Sequence, residues 1–155
     1  MSLMEPLDLA GSIRTAVLGN TTITDNLGVW QGEPCVFTRR PIPDGAPYPL
    51  ILISQDISVG SADFLVGRLP MPRRDVIVYG QQGAPGQPDD QYRTVEGIAY
   101  LLRQQFHRQK FSLDLAPHYS VIEITATGPM SAPVDDDNLV GRAVLLAMKL
   151  KDLAT

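Results

Sequence analysis

The spacing of apolar positions changes several times along this chain, and the changes mark its elements. The most informative unit runs from Arg73 to Lys110. It opens with Val76-Ile77-Val78-Tyr79, a β-branched run bounded by turn residues, which predicts a strand. A Gly/Pro stretch from Gly80 to Pro88 breaks the run. Then Val95, Ile98, Leu101, Leu102 and Phe106 recur at steps of three and four, the pattern of an amphipathic helix. Asp89 and Asp90 stand before it, where a helix start accepts an oxygen acceptor and a negative charge.

The flanks extend the pattern. Leu7 to Leu18 carries Leu9 or Ala10, Ile13, and Ala16 or Val17 on one stripe, and Gly19-Asn20 supplies a stop, so a helix of about three turns is predicted. Thr21 to Gly28 reads as a short capped turn of helix. Pro34 to Thr38 reads as a short strand. Arg39 to Pro49 is a proline-pinned loop whose X-Pro steps favour extended backbone. Leu50 to Ile53 is apolar throughout, as in a strand covered on both faces. Gln55 to Pro72 fits a continued strand, a β-arm or a long loop, and a loop of that length is uncommon without a task. Phe111 to His118 is a loop. From Tyr119 to Thr127, Val121, Glu123 and Thr125 alternate with Ile122, Ile124 and Ala126, a half-buried strand. Gly128-Pro129 ends or bulges it. Pro133 to Asn138 is a turn. Gly141 to Leu150 is read as a strand paired with 119–127, although Leu, Ala, Met and Lys also favour a helix.

Helix, strands, helix and hairpin in this order imply an α+β fold. We expect a mainly antiparallel sheet of four to five strands with two main helices packed on one face. At least one strand is then an edge open to pairing with another chain. The 155 residues suffice for one domain, placed at 4–153. Met1-Ser2-Leu3 reads as a cloning remnant ahead of a natural start at Met4.

Composition narrows the chemistry. Hydrophobic residues make up 44% and charged residues 19%, as in ordinary globular proteins. The net charge of −4 argues against general nucleic-acid binding, which needs a basic footprint. No apolar run reaches the ~18 residues of a membrane span, so no membrane partner is expected. Cys35 is the only cysteine, so an intramolecular disulfide is impossible and a reducing compartment is expected.

Each chemical motif reads better as structure. Gly80, Gly83 and Gly86 precede a helix, but neither G-x-G-x-x-G nor the P-loop pattern is present, and Pro85 and Pro88 remove donors that a phosphate cradle uses. Asp135, Asp136 and Asp137 lack the spacing of a calcium loop and read as a solvated turn. His107 is expected on the polar side of its helix near the C-terminus, where positive charge is favourable. His107 and His118 have no Cys/His cluster for a metal, and Cys35 lacks a nucleophile signature. The pairs Arg39-Arg40 and Arg73-Arg74 read as solvated strand ends. The sequon Asn20-Thr21-Thr22 has no secretion signal beside it. No catalytic residue, cofactor or metal is therefore expected.

A resemblance takes the reading further. An N-terminal amphipathic helix carries Ile13 and Val17-Leu18. A proline-rich approach, Ile42-Pro43-Asp44-Gly45-Ala46-Pro47-Tyr48-Pro49, leads into Leu50-Ile51-Leu52-Ile53. Then come Val76-Ile77-Val78-Tyr79, a Gly-containing loop, a helix ending in Leu101-Leu102, and a closing pair of strands. This order, spanning most of the chain, resembles the tail-terminator or tail-completion proteins of long-tailed bacteriophages and prophages. The resemblance implies a non-enzymatic virion protein, assembled in the bacterial cytoplasm and resident in the virion tail. Its subunits would form a homo-hexameric ring that caps the tail tube, stops its polymerisation and joins it to the head–neck connector. DNA would pass through without specific binding, repelled by acidic subunits. The expected sites are interfaces: Val59, Phe64, Leu65, Val66 and Leu69 against a neighbouring subunit or the tube, with Asp135, Asp136, Asp137, Arg73 and Arg74 as pore-lining or interface charges. The alternatives are another head–tail connector component, a small ligand-binding α+β domain using the Gly80–Gly86 loop, and a nucleic-acid module using the arginine pairs.

Overall fold

The computed structural model describes residues 9–54, 72–115, 119–134 and 137–152. Its elements follow in the order α1 (Leu9–Leu18), α2 (Thr21–Thr24), β1 (Val29–Trp30), β2 (Glu33–Pro34), β3 (Val36–Phe37), β4 (Leu50–Ile53), β5 (Arg73–Gln81), α3 (Tyr92–Phe106), β6 (Tyr119–Ser131) and β7 (Leu139–Asp152). Five strands form the main sheet in the order β3-β4-β5-β7-β6, and β1 and β2 form a small hairpin. The fold is α+β. All main-sheet pairs are antiparallel except β3 with β4, which the proline loop joins as a parallel pair.

Alternation along the two inner strands assigns the faces. On β4 and β5, Ile51 and Ile53 lie beside Val78 and Val76, and all four join the core beneath the helices. Their sequence neighbours Leu50 and Leu52 lie beside Tyr79 and Ile77 and form a second cluster with Cys35 on the opposite face. Both faces of β4 are thus covered, as its unbroken apolar run requires. Leu9, Ile13 and Val17 of α1, and Val95, Ile98, Ala99, Leu102 and Phe106 of α3, pack on the first face.

The C-terminal segment is a strand, not a helix. It lies between β5 and β6, so both of its edges are hydrogen-bonded. Val140, Val144, Leu146, Met148 and Leu150 alternate into the core, and this period of two outweighs the helix propensity of the same residues. β6 and β7 form the expected hairpin, but β6 runs on to Ser131, and Gly128-Pro129 lies at a register shift inside it. Gly128 has φ +121, and a Cβ there would meet the Ala143 carbonyl oxygen at 2.7 Å, so the bulge requires glycine.

A second shift lies between Val121 and Glu123 and corrects the expected alternation. Val121, placed by simple alternation with Glu123 and Thr125, packs on the core instead, while Ile122 is 44% exposed. One extra residue in a strand reverses which side chains face inward.

Other corrections are local. α2 is not capped by a side chain. Asn20 Nδ2 donates instead to Gln105 Oε1 at 3.1 Å, and Gln105 Nε2 donates to the Ala16 carbonyl at 2.8 Å, so this polar pair ties α3 to the end of α1. At α3, only Asp90 meets the expectation, its Oδ1 accepting from the Tyr92 N–H at 3.2 Å. Asp89 lies beside Gly83 instead. β1 and β2 were not foreseen, because two-residue strands leave no periodicity to read.

Candidate functional site

The sheet face without helices carries a groove lined mainly by apolar and aromatic side chains. Ile42, Ala46 and Tyr48 of the proline loop, together with Trp30 of β1, cover the second cluster over β3, β4 and the adjacent part of β5. Beside this cover lies an open groove of about 370 Å³. Arg40, Ile42 and Tyr48 form one wall, Ile77 and Tyr79 the floor, and Pro133, Val134 and Leu139 the other wall. Arg40 Nη2 donates to the Tyr79 hydroxyl at 3.1 Å. Gln91 fixes the end of this region, with Nε2 donating to the Tyr48 carbonyl and Oε1 accepting from the Gln81 N–H. Further across the same face, Asp75, Leu145 and Thr127 lie side by side on β5, β7 and β6. No described element covers them.

The two edges of the sheet differ from the expectation of an open edge. On β3, Arg14 Nε donates to the Val36 carbonyl at 2.9 Å, and its guanidinium pairs with Glu33 at 3.0 Å. On β6, the turn after α3 closes the middle of the strand. The Arg108 N–H donates to the Ile124 carbonyl at 2.9 Å, and the Ala126 N–H donates to His107 Nδ1 at 3.1 Å. His107 therefore acts as a hydrogen-bond acceptor for the β6 backbone rather than as a cap on its own helix end. Pro129 lacks an N–H, and its bulge further blunts the strand.

The other candidate residues are scattered. Arg74 Nη1 donates to the Ser54 carbonyl at 3.3 Å and shares the helix face with its partner Leu146, whereas Arg73 is exposed opposite Ala147. The two do not form a basic patch. Arg39 lines a separate hollow of about 560 Å³ with Trp30, while Arg40 faces the groove. Asp137 is exposed in the turn before β7. Val59, Phe64, Leu65, Val66, Leu69, His118, Asp135 and Asp136 lie outside the described residues.

Two of the residues considered for chemistry are taken up by packing. Cys35 is buried, and burial raises its thiol above the usual range, disfavouring the reactive thiolate. Gly80 belongs to β5, where a side chain would collide with Val95, so this glycine serves helix–sheet packing rather than phosphate binding. Among the described residues, no group of three or more His, Cys, Asp or Glu is placed to hold a metal, and no helix is long and apolar enough to cross a membrane. Burial also raises the Asp75 carboxyl, and Ser54 Oγ accepts from its backbone N–H at 2.9 Å. Arg142 is held charged first by its hydrogen bond to Glu96, and Tyr92 adds a second. This cluster clamps α3 onto β7.

Sequence reasoning missed the groove, because Arg40, Ile42 and Tyr48 meet Pro133, Val134 and Leu139 across a large sequence separation. It also passed over Phe111, although a lone phenylalanine between Lys110 and Ser112 was a legible signal.

No protein-family model and no curated protein matches this chain. Among solved structures, a chain from the virion of a native gene transfer agent particle shares the fold with a TM-score of 0.64 at 12% identity. The match covers 93% of this chain and 93% of that one.

Proposed function

We propose that this protein is a structural component of a phage-like virion. The observation that carries the reading is the shared fold with a gene transfer agent virion chain over 93% of both chains. Such coverage joins complete architectures rather than one common motif. The order of sequence features narrows the role to a ring-forming tail terminator, which caps the tail tube, arrests its growth and joins it to the head–neck connector. The alternative is another component of the head–tail junction.

In this role the sites are contact surfaces and no residue is catalytic. The segment 55–72, with Val59, Phe64, Leu65, Val66 and Leu69, meets a neighbouring subunit or the tube. Asp135, Asp136, Asp137, Arg73 and Arg74 line the pore or flank the interface. With the centre of β6 and the Val36 carbonyl of β3 already hydrogen-bonded, subunits join through faces and loops rather than by one continuous sheet.

Tube assembly tests the role. Purified tail-tube subunits from the same genome are polymerised with and without this protein, and tube lengths are measured by electron microscopy. A terminator caps tube ends and shortens them in proportion to its concentration. Unchanged lengths and bare ends would reject the terminator role and favour a different junction component.

A further inference from the structure

The turn after α3 presents an aromatic ring that no buried cluster among the described residues takes in. Phe111 is 89% exposed, the highest value among the large hydrophobic side chains of the described residues. Its neighbours Leu113 and Leu115 are buried, so the same loop places its other apolar side chains inside. Lys110 Nζ stands 5.0 Å from the ring centroid, and Arg108 is exposed in the same turn, with Asp114 exposed three residues beyond the ring. The feature is an aromatic knob preceded by two basic side chains.

The groove on the opposite face has the complementary chemistry. Tyr48 on a wall and Tyr79 on the floor give it aromatic surface, Ile42, Val134 and Leu139 make it apolar, and Arg40 presents a guanidinium to an inserted ring. Exposed acids stand at its borders, Asp44 two residues beyond Ile42 and Asp137 two residues before Leu139. Knob and groove do not meet within one chain. α3 begins beside Gln81, at the groove end of β5, and its 15 residues carry the chain roughly 22 Å away at 1.5 Å per residue. The sheet also lies between them, because α3 packs on the face opposite the groove.

We infer that Phe111 of one copy seats in the Tyr48–Tyr79 groove of the next, with Arg108 and Lys110 facing Asp44 and Asp137. A contact between two different patches is heterologous. Repeated, it closes a ring or extends a helical array according to its rotation. An aromatic anchor in an apolar pocket with charges at its rim is the usual energetic centre of an interface. The contact needs only a second copy, and stands whether or not the copies cap a tail tube.

Cysteine cross-linking tests it. Gln109→Cys, at an exposed position that leaves Phe111 in place, and Val134→Cys are made singly and together in the full chain, and treated with a bis-maleimide at high protein concentration. Buried Cys35 supplies a low background. The expected result is a covalent ladder in the double variant beyond the dimer, with each single variant giving at most dimer. A ladder that stops at a fixed number marks a ring, and one that continues marks an open array; both require the contact. Equal yields in the double and single variants overturn the inference. In a parallel sedimentation series, Phe111→Ser, at an exposed position that leaves folding intact by circular dichroism, weakens self-association at least tenfold. Self-association equal to that of the unaltered chain also overturns it.

Discussion

The two faces of the sheet bury their side chains in different ways. On the helix face, Val76, Val78, Val144, Leu146, Met148 and Leu150 meet α1 and α3, and all are essentially inaccessible. On the other face, only the β3–β4 side is sealed by the proline loop, while Asp75 and Leu145 remain half-buried and Tyr79 floors an open groove. The first face holds the protein together. The second retains apolar surface and charge that packing within the described chain does not consume.

Substitutions sharpen this contrast, the largest effect coming first. Phe106→Ala on the helix face should cost about 3–5 kcal/mol in urea unfolding, because it leaves a cavity under α3. Leu145→Ala on the other face should cost no more than about 1 kcal/mol, since little apolar area is lost. Equal costs would erase the distinction. Gly80→Ala should cost about 1–3 kcal/mol, because the new methyl group meets Val95 and forces α3 off the strand.

The edge of β6 gives a smaller effect. His107→Ala removes the acceptor for the Ala126 N–H and should cost about 1 kcal/mol. Hydrogen exchange should locate the change, with the Ala126 amide losing protection while Val144 keeps its own. The smallest effect concerns Asp75. Burial raises its carboxyl, so the folded state keeps this proton to higher pH than the unfolded chain does. Across that interval the native state binds more protons, and its stability falls as pH rises from the ordinary carboxylate range through the raised value. Asp75→Asn removes this component, so stability profiles of the two proteins should diverge across that range and favour the variant above it. Parallel profiles would show that the site is better solvated than its geometry implies.

Much of the fold was legible where one period ran uninterrupted. Val95, Ile98, Leu102 and Phe106 marked α3, and Leu50 to Ile53 announced a strand with two covered faces. Legibility failed where a single residue changed the register. At β6 the bulge sends Val121 inward and Ile122 outward, and alternation carries no mark of that reversal. It failed again where partners meet across the chain. Nothing local to His107 shows that a backbone N–H nineteen residues later will occupy its ring nitrogen. The groove was hidden for the same reason, since Arg40 and Leu139 meet only once β5 and β7 pair. Phe111 stood in plain view, and its meaning depended on knowing that the fold leaves it outside.

The proposed terminator role makes this chain a subunit of a ring. Light scattering across a concentration series, with negative-stain images of the largest species and a parallel sample containing tail tubes, tests it most directly. The account predicts a particle of six subunits with a central hole, free in solution or seated on tube ends. A monomer at every concentration, with tube ends bare in the mixed sample, would contradict it.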